Sequence, residues 1–183
     1  MKWLITIALL LNAPFVQAES ALAKVIAETD ANVMFMRHAL APGYGDPSHF
    51  DVNDCSTQRN LDATGRAQAE SLGRVLRKHQ INFTEIKSSQ WCRCQETARL
   101  LNVGKVVSFT GLNSFFEEHA DREQTLRKLK RYLGSLKQDE LVLLVTHQVV
   151  ISAVTGVYAP SGGVVLFNTA SKTSKALDIQ RYQ

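Results

Sequence analysis

What the sequence does not contain narrows its chemistry. It has no H-E-x-x-H, no C-x-x-C and no acidic cluster suited to Mg²⁺, so neither a metal ion nor another cofactor is expected. It has no G-x-S-x-G elbow, which leaves a serine hydrolase without support. No basic patch interleaved with aromatics is present. The formal charge is only +4, with a pI near 9.1, so the expected partners are small anions, not nucleic acid. Repeats, low-complexity tracts and linkers are missing, and the 183 residues suit a single domain. Cysteine is scarce: Cys55, Cys92 and Cys94 allow at most one internal disulfide. Cys92 and Cys94 are too close along the chain to bridge each other well, so the candidate is Cys55 with Cys92 or Cys94.

The one long apolar run is N-terminal. Lys2 precedes Trp3 to Leu11, and Val16-Gln17-Ala18 supplies small residues at a cleavage site. This is the layout of a secretory signal peptide over residues 1–18. The run falls short of the roughly 20 residues a spanning helix needs, and no later segment could cross a bilayer. The expected product is an exported protein, periplasmic or secreted, with no stable membrane insertion and one domain over residues 19–183. Export also permits disulfide formation.

Short apolar runs alternate with amphipathic stretches. Strands are expected at Val33–Met36, Ile81–Ile86, Val106–Phe109, Leu141–Val145, Val164–Phe167 and Ala176–Ile179, the last two as a hairpin. Helices are expected from Asp62 or Thr64 through Leu76, over Cys92–Leu101 with Gly104 as C-cap, over Asp121–Leu136, and from Gln148 to Gly156. Residues 19–31 suit a short helix or lead-in, and Leu40–Leu61 a long loop of the kind that often carries function. Alternation of this sort gives an α/β fold: a three-layer sandwich with a mostly parallel central sheet flanked by helices.

Three strand ends carry the chemistry. Arg37-His38 follows the first strand, Arg93 follows the strand ending at Ser88-Ser89, and His147 follows Leu141–Val145. In a parallel sheet these carboxyl ends open on one edge, where such sheets bind ligands. Two guanidiniums and two imidazoles meeting there suit a phosphoryl group. Arg binds its oxygens bidentately, a neutral imidazole can attack phosphorus, and neighbouring cations keep that imidazole unprotonated.

These residues fall into four signatures. The first is Arg37-His38-Ala39. The second is Leu61-Asp62-Ala63-Thr64-Gly65-Arg66-Ala67-Gln68-Ala69. The third runs from Ser89 through Arg93 to Thr97-Ala98, and the last is Thr146-His147. In this order, from Val33 to Gly156, the chain resembles the histidine phosphatase superfamily, the phosphoglycerate-mutase-like fold. The resemblance implies that His38 is the nucleophile and phosphate acceptor, and that Arg37, Arg93 and His147 form the phosphate pocket. Arg59, just before the second signature, is a further candidate substrate contact or a structural salt bridge. Two departures stand out. Ala39 replaces the family's Gly, which matters if the backbone there has φ > 0. Ser114 falls where the family often has the Glu that protonates the leaving group. Glu117 is then the expected acid, Glu118 the alternative and His119 a third option.

The resemblance implies a metal-independent phosphoric monoester hydrolase. The expected partner is a phosphorylated small molecule or an envelope glycan or lipid phosphate. Mutases of this fold are generally larger, which favours hydrolysis over phosphoglycerate-mutase-type transfer. The competing class is an exported phosphate-binding or interaction protein that keeps the pocket without turnover. Oligomeric state is not specified by the sequence.

Overall fold

The computed structural model describes residues 20–183, and the expected signal peptide, residues 1–18, lies outside the described residues. Val33–Arg37 forms β1, the central strand from which the rest is arranged. Its side chains alternate between two cores, as a strand's period of two requires. Met34 and Met36 face one cluster, while Val33 and Phe35 face the other, and all four are fully buried. Burial on both faces is why the run reads as continuously apolar.

In chain order the elements are α1 (Ala21–Glu28), β1, α2 (Ala63–Lys78), β2 (Glu85–Ser88), α3 (Cys92–Leu101), β3 (Val106–Ser108), α4 (Arg122–Ser135), β4 (Val142–Thr146), α5 (Gln148–Thr155), β5 (Val164–Phe167) and β6 (Ser174–Leu177). They build a six-stranded sheet of order β3-β2-β4-β1-β5-β6. β1 to β4 run parallel, and β5 is antiparallel to both its neighbours. Core residues of α1, α2 and α3 cover the Met34–Met36 face, and those of α4 and α5 the Val33–Phe35 face. This is the three-layer α/β sandwich expected. Among the described residues no helix is long and apolar enough to cross a membrane.

Local chemistry sets the helix ends. Asp62 accepts from the Gly65 N–H and caps α2, and Asp121 accepts from the Gln124 N–H and caps α4. α5 ends at Gly156 in the left-handed region, φ 71°.

Three boundaries differ from expectation. The second strand lies at Glu85–Ser88, not Ile81–Ile86. Gln80 is left-handed (φ 54°) and Ile81 donates its N–H to Leu76 O, so the chain is still finishing α2 when its apolar residues begin. α3 is ended by Asn102 in the left-handed region, not by Gly104. The last strand is Ser174–Leu177, not Ala176–Ile179. Its register is fixed by pairing Phe167 with Ser174, and Asp178 then caps a 3-10 turn that buries Ile179. In each case pairing or a turn, set by tertiary partners, overrode the local apolar pattern.

Candidate active site

β1, β2 and β4 end side by side, with Arg37 opposite Thr146 and Ser88 opposite Val145. The residues just beyond those ends therefore meet. The His38 and His147 rings lie 5.4 Å apart, centroid to centroid, in an edge-to-face arrangement. They line a cavity of about 300 Å³ together with Arg37, Arg59 and Arg93. Both histidines are almost fully buried.

Each side chain is held by its surroundings. His38 Nδ1 lies 2.8 Å from Ala39 O. A carbonyl can only accept, so Nδ1 carries the proton and Nε2 keeps its lone pair. Arg93 donates its Nε–H toward that Nε2 at 3.3 Å. Arg37 donates one Nη to Ala159 O, and its buried Nε has no partner among the described residues. Arg59 donates Nε–H to Gly45 O and an Nη to Ala41 O. It thereby braces the loop between β1 and α2 while facing the cavity. The disulfide forms between Cys55 and Cys92, tying that loop to the first turn of α3, and leaves Cys94 buried and free.

The model of the histidine phosphatase superfamily (branch 1) matches residues 33–117, which carry the first three signatures. Over that stretch, just under half of its length, the chain is similar to the histidine phosphatase superfamily. Solved structures share the histidine phosphatase fold at low identity. SixA from Agrobacterium tumefaciens is 20% identical, with 81% of this chain and 97% of that chain covered and a TM-score of 0.54. The protein histidine phosphatase SixA bound to tungstate is 14% identical, with 80% and 94% covered and a TM-score of 0.53. A mycobacterial glucosyl-3-phosphoglycerate phosphatase with VO₃ is 14% identical, with 80% and 97% covered and a TM-score of 0.54. Among curated proteins, none matches the chain.

The histidine phosphatase signatures have physical causes here. A Cβ on Gly65 would sit 1.9 Å from Leu40 O, so only glycine lets α2 approach the strand-end loop. Gln68 accepts from the Leu40 N–H and donates to Ser161 O, joining two walls of the cavity. Thr97 accepts from the Ala39 N–H and donates to Arg93 O, linking the two phosphate-site segments. Ala39 is not among the residues with positive φ, so its Cβ meets no backbone strain, and its backbone still holds His38.

Electrostatics favour neutral imidazoles. Burial, followed by the Arg93 charge, holds His38 well below the ordinary histidine pKa, although the Ala39 hydrogen bond works the other way. Burial and Arg93 do the same to His147. Burial pushes the Cys94 thiol up to about 12.

The carboxylates are placed differently from the basic groups. Glu117 and Glu118 are exposed and do not form the cavity wall, while Ser114 and Phe116 do. The Glu117 carboxylate abuts Gly45 at the edge of the site, where a Cβ on that glycine would approach it to 2.5 Å. Both glutamates are left-handed, φ 53° and 61°, which non-glycine residues seldom adopt. His119 packs on Phe50, ring centroids 4.5 Å apart.

Two wall or near-wall groups escaped sequence reasoning. Ser89 meets His147 Nε2 at 2.9 Å. It opens the third signature, which was its only signal. Asp46 lines the cavity and pairs with Arg93. Nothing in the sequence separates it from Asp51 and Asp54 in the same loop.

Proposed function

We propose that the protein is an exported phosphatase that hydrolyses a phosphate monoester through a covalent phosphohistidine on His38, without a metal ion. The single observation that carries this reading is the His38 Nε2 lone pair lying against the Arg93 Nε–H, with the Nδ1 proton held by Ala39 O. In this mechanism Arg37, Arg59 and Arg93 take the phosphoryl oxygens, and His147 donates a hydrogen bond to the charge that develops there. Nε2 attacks phosphorus in line, the bond to the leaving oxygen breaks, and the proton stays on Nδ1, hydrogen-bonded to Ala39 O. The leaving oxygen takes a proton from Glu117, or from Glu118 in its place. Water then attacks the phosphohistidine and gives its proton to the same carboxylate, and the P–N bond breaks to restore His38.

Export is supported by the leader-like N-terminus and by the Cys55–Cys92 disulfide. Substrates in the envelope, such as a glycan or lipid phosphate, follow from that compartment. The competing reading, phosphate binding without turnover, draws on Ser114 standing in the wall where a carboxylic acid would be expected.

The deciding experiment is hydrolysis of a chromogenic aryl phosphate by the purified protein and by His38→Ala. Wild type should turn over and, after rapid denaturation at alkaline pH, carry acid-labile phosphate, with both lost in the variant. Equal rates in the two proteins would sink the proposal. Phosphate binding with no turnover in either, across a panel of esters, would favour the competing reading.

A further inference from the structure

We propose that Asp46 is a positioning residue that turns the Arg93 guanidinium so that its Nε edge faces the phosphoryl group. The proposal rests on the phosphatase reading of this site. Arg93 offers two edges. Its end-on pair is taken by Asp46: Nη1 donates to Oδ1 at 2.7 Å and Nη2 to Oδ2 at 3.0 Å. Nη1 also donates to Arg59 O at 3.2 Å. What remains is the side edge, Nε–H and the outer Nη2–H, and the Nε–H already points at His38 Nε2. A phosphoryl group on that nitrogen is therefore met by a two-pronged edge, the geometry guanidinium favours for anions.

Asp46 is itself fixed from three directions. Oδ1 accepts from the Arg59 N–H at 3.0 Å, and Oδ2 from Trp91 Nε1–H at 3.0 Å, in addition to Arg93. The side chain is 4% exposed. Burial alone would raise its pKa, yet the Arg93 hydrogen bonds and charge leave it below the ordinary aspartate value, so it is an anion throughout the neutral range. Loop, helix start and catalytic arginine are thus tied at one carboxylate.

Simple electrostatics predicts the opposite of positioning. A carboxylate in an anion pocket repels the ligand, so its removal should tighten anion binding. Positioning predicts weaker binding, because an Asn amide can accept from only one Arg93 Nη and sets its own NH₂ against the other. A merely structural role would change the amount of folded protein and leave the vanadate inhibition constant alone.

The test is vanadate inhibition and aryl phosphate turnover in wild type and Asp46→Asn. The expected result is a vanadate constant weaker by about tenfold, the loss of one charge-assisted bond. With it should come a fall in kcat/KM of about 10²-fold, shared between kcat and KM. An unchanged or tighter vanadate constant with unaltered kcat overturns the proposal while leaving the phosphatase reading intact. A wild type that neither turns over nor binds vanadate removes that reading and the proposal together. If Asp46→Asn does not fold, Trp91→Phe decides. It keeps the charge pair and removes one of the bonds that fix Asp46, so the vanadate constant should weaken in the same direction by a smaller factor, and an unchanged constant overturns the proposal.

Discussion

His147 Nε2 lies 2.9 Å from the Ser89 hydroxyl. The same hydroxyl accepts from the Trp91 N–H at 3.3 Å and has only a longer contact, 3.4 Å, to Asn113 Oδ1. Its hydrogen is best used on His147, which leaves the ring proton on Nδ1. The Cys94 thiol, 3.4 Å from the same Nε2, stays protonated and reinforces this tautomer. Removing the hydroxyl with Ser89→Ala frees the ring to flip or take the other tautomer. A loss of about tenfold in kcat is expected, from one hydrogen bond of ~1–1.5 kcal/mol, with a lower melting temperature because the buried Trp91 N–H also loses its acceptor. Steady-state kinetics beside a melting curve checks it, and unchanged kcat counts against the assigned tautomer.

The nucleophile must be neutral to attack. Because burial and Arg93 hold His38 well below its ordinary value, the acid limb of kcat should fall clearly below the ~6.5 of a free imidazole. The phosphate's own second ionisation near pH ~6 complicates kcat/KM, so kcat at saturating aryl phosphate is the quantity to plot. A limb at 6.5 or above contradicts the electrostatic account.

Stability should also fall on acidification. The unfolded chain protonates its histidines as pH drops through about 6.5, whereas His38 and His147 resist protonation in the folded state. Protons then bind preferentially to the unfolded chain, and the stabilisation present above that pH is lost progressively below it. Melting temperature measured from pH 7.5 to 5 should decline, and His147→Asn should flatten the slope. An identical slope in the variant refutes this linkage.

Glu117 is offered as the leaving-group acid from the edge of the site. Glu117→Gln should slow alkyl phosphates, whose leaving groups need a proton, by about 10²-fold, and should barely affect an aryl phosphate with an acidic phenol. Glu118→Gln is the control that exchanges the two roles. If neither substitution steepens the dependence on leaving-group pKa, neither residue is the acid.

The Cys55–Cys92 bridge closes a loop with a sequence separation of 37. Chain entropy assigns such a closure about 3–4 kcal/mol. Cys55→Ser with Cys92→Ser should therefore lower Tm by about 10 °C. Reductant should lower the wild-type Tm by a similar amount and leave the double variant unchanged. A wild type indifferent to reductant contradicts this.

The sequence legibly marked the elements whose physics is local. Val33–Arg37, Val142–Thr146 and Val164–Phe167 carry their burial in apolar runs, Cys92–Leu101 carries it in helically spaced Cys94, Ala98 and Leu101, and Asp62, Asp121 and Gly156 carry their ends in cap chemistry. It misjudged Glu85–Ser88 and Ser174–Leu177, because strand limits depend on the partner strand. The apolar residues beside them, Ile81 and Ile179, are buried by turns instead.

For the site the division is the same. Residue type and strand-end placement singled out Arg37, His38, Arg93 and His147, since charges and imidazoles at or soon after the ends of parallel strands open on one edge of the sheet. Only the folded chain decided which groups hold them. Ala39 O selects the His38 lone pair, Ser89 selects the His147 tautomer, and Asp46, from a long loop, selects the exposed edge of Arg93. Those pairings join residues 58, 47 or as few as one position apart. Hydrogen-bond direction depends on distance and angle in space, and linear order carries neither.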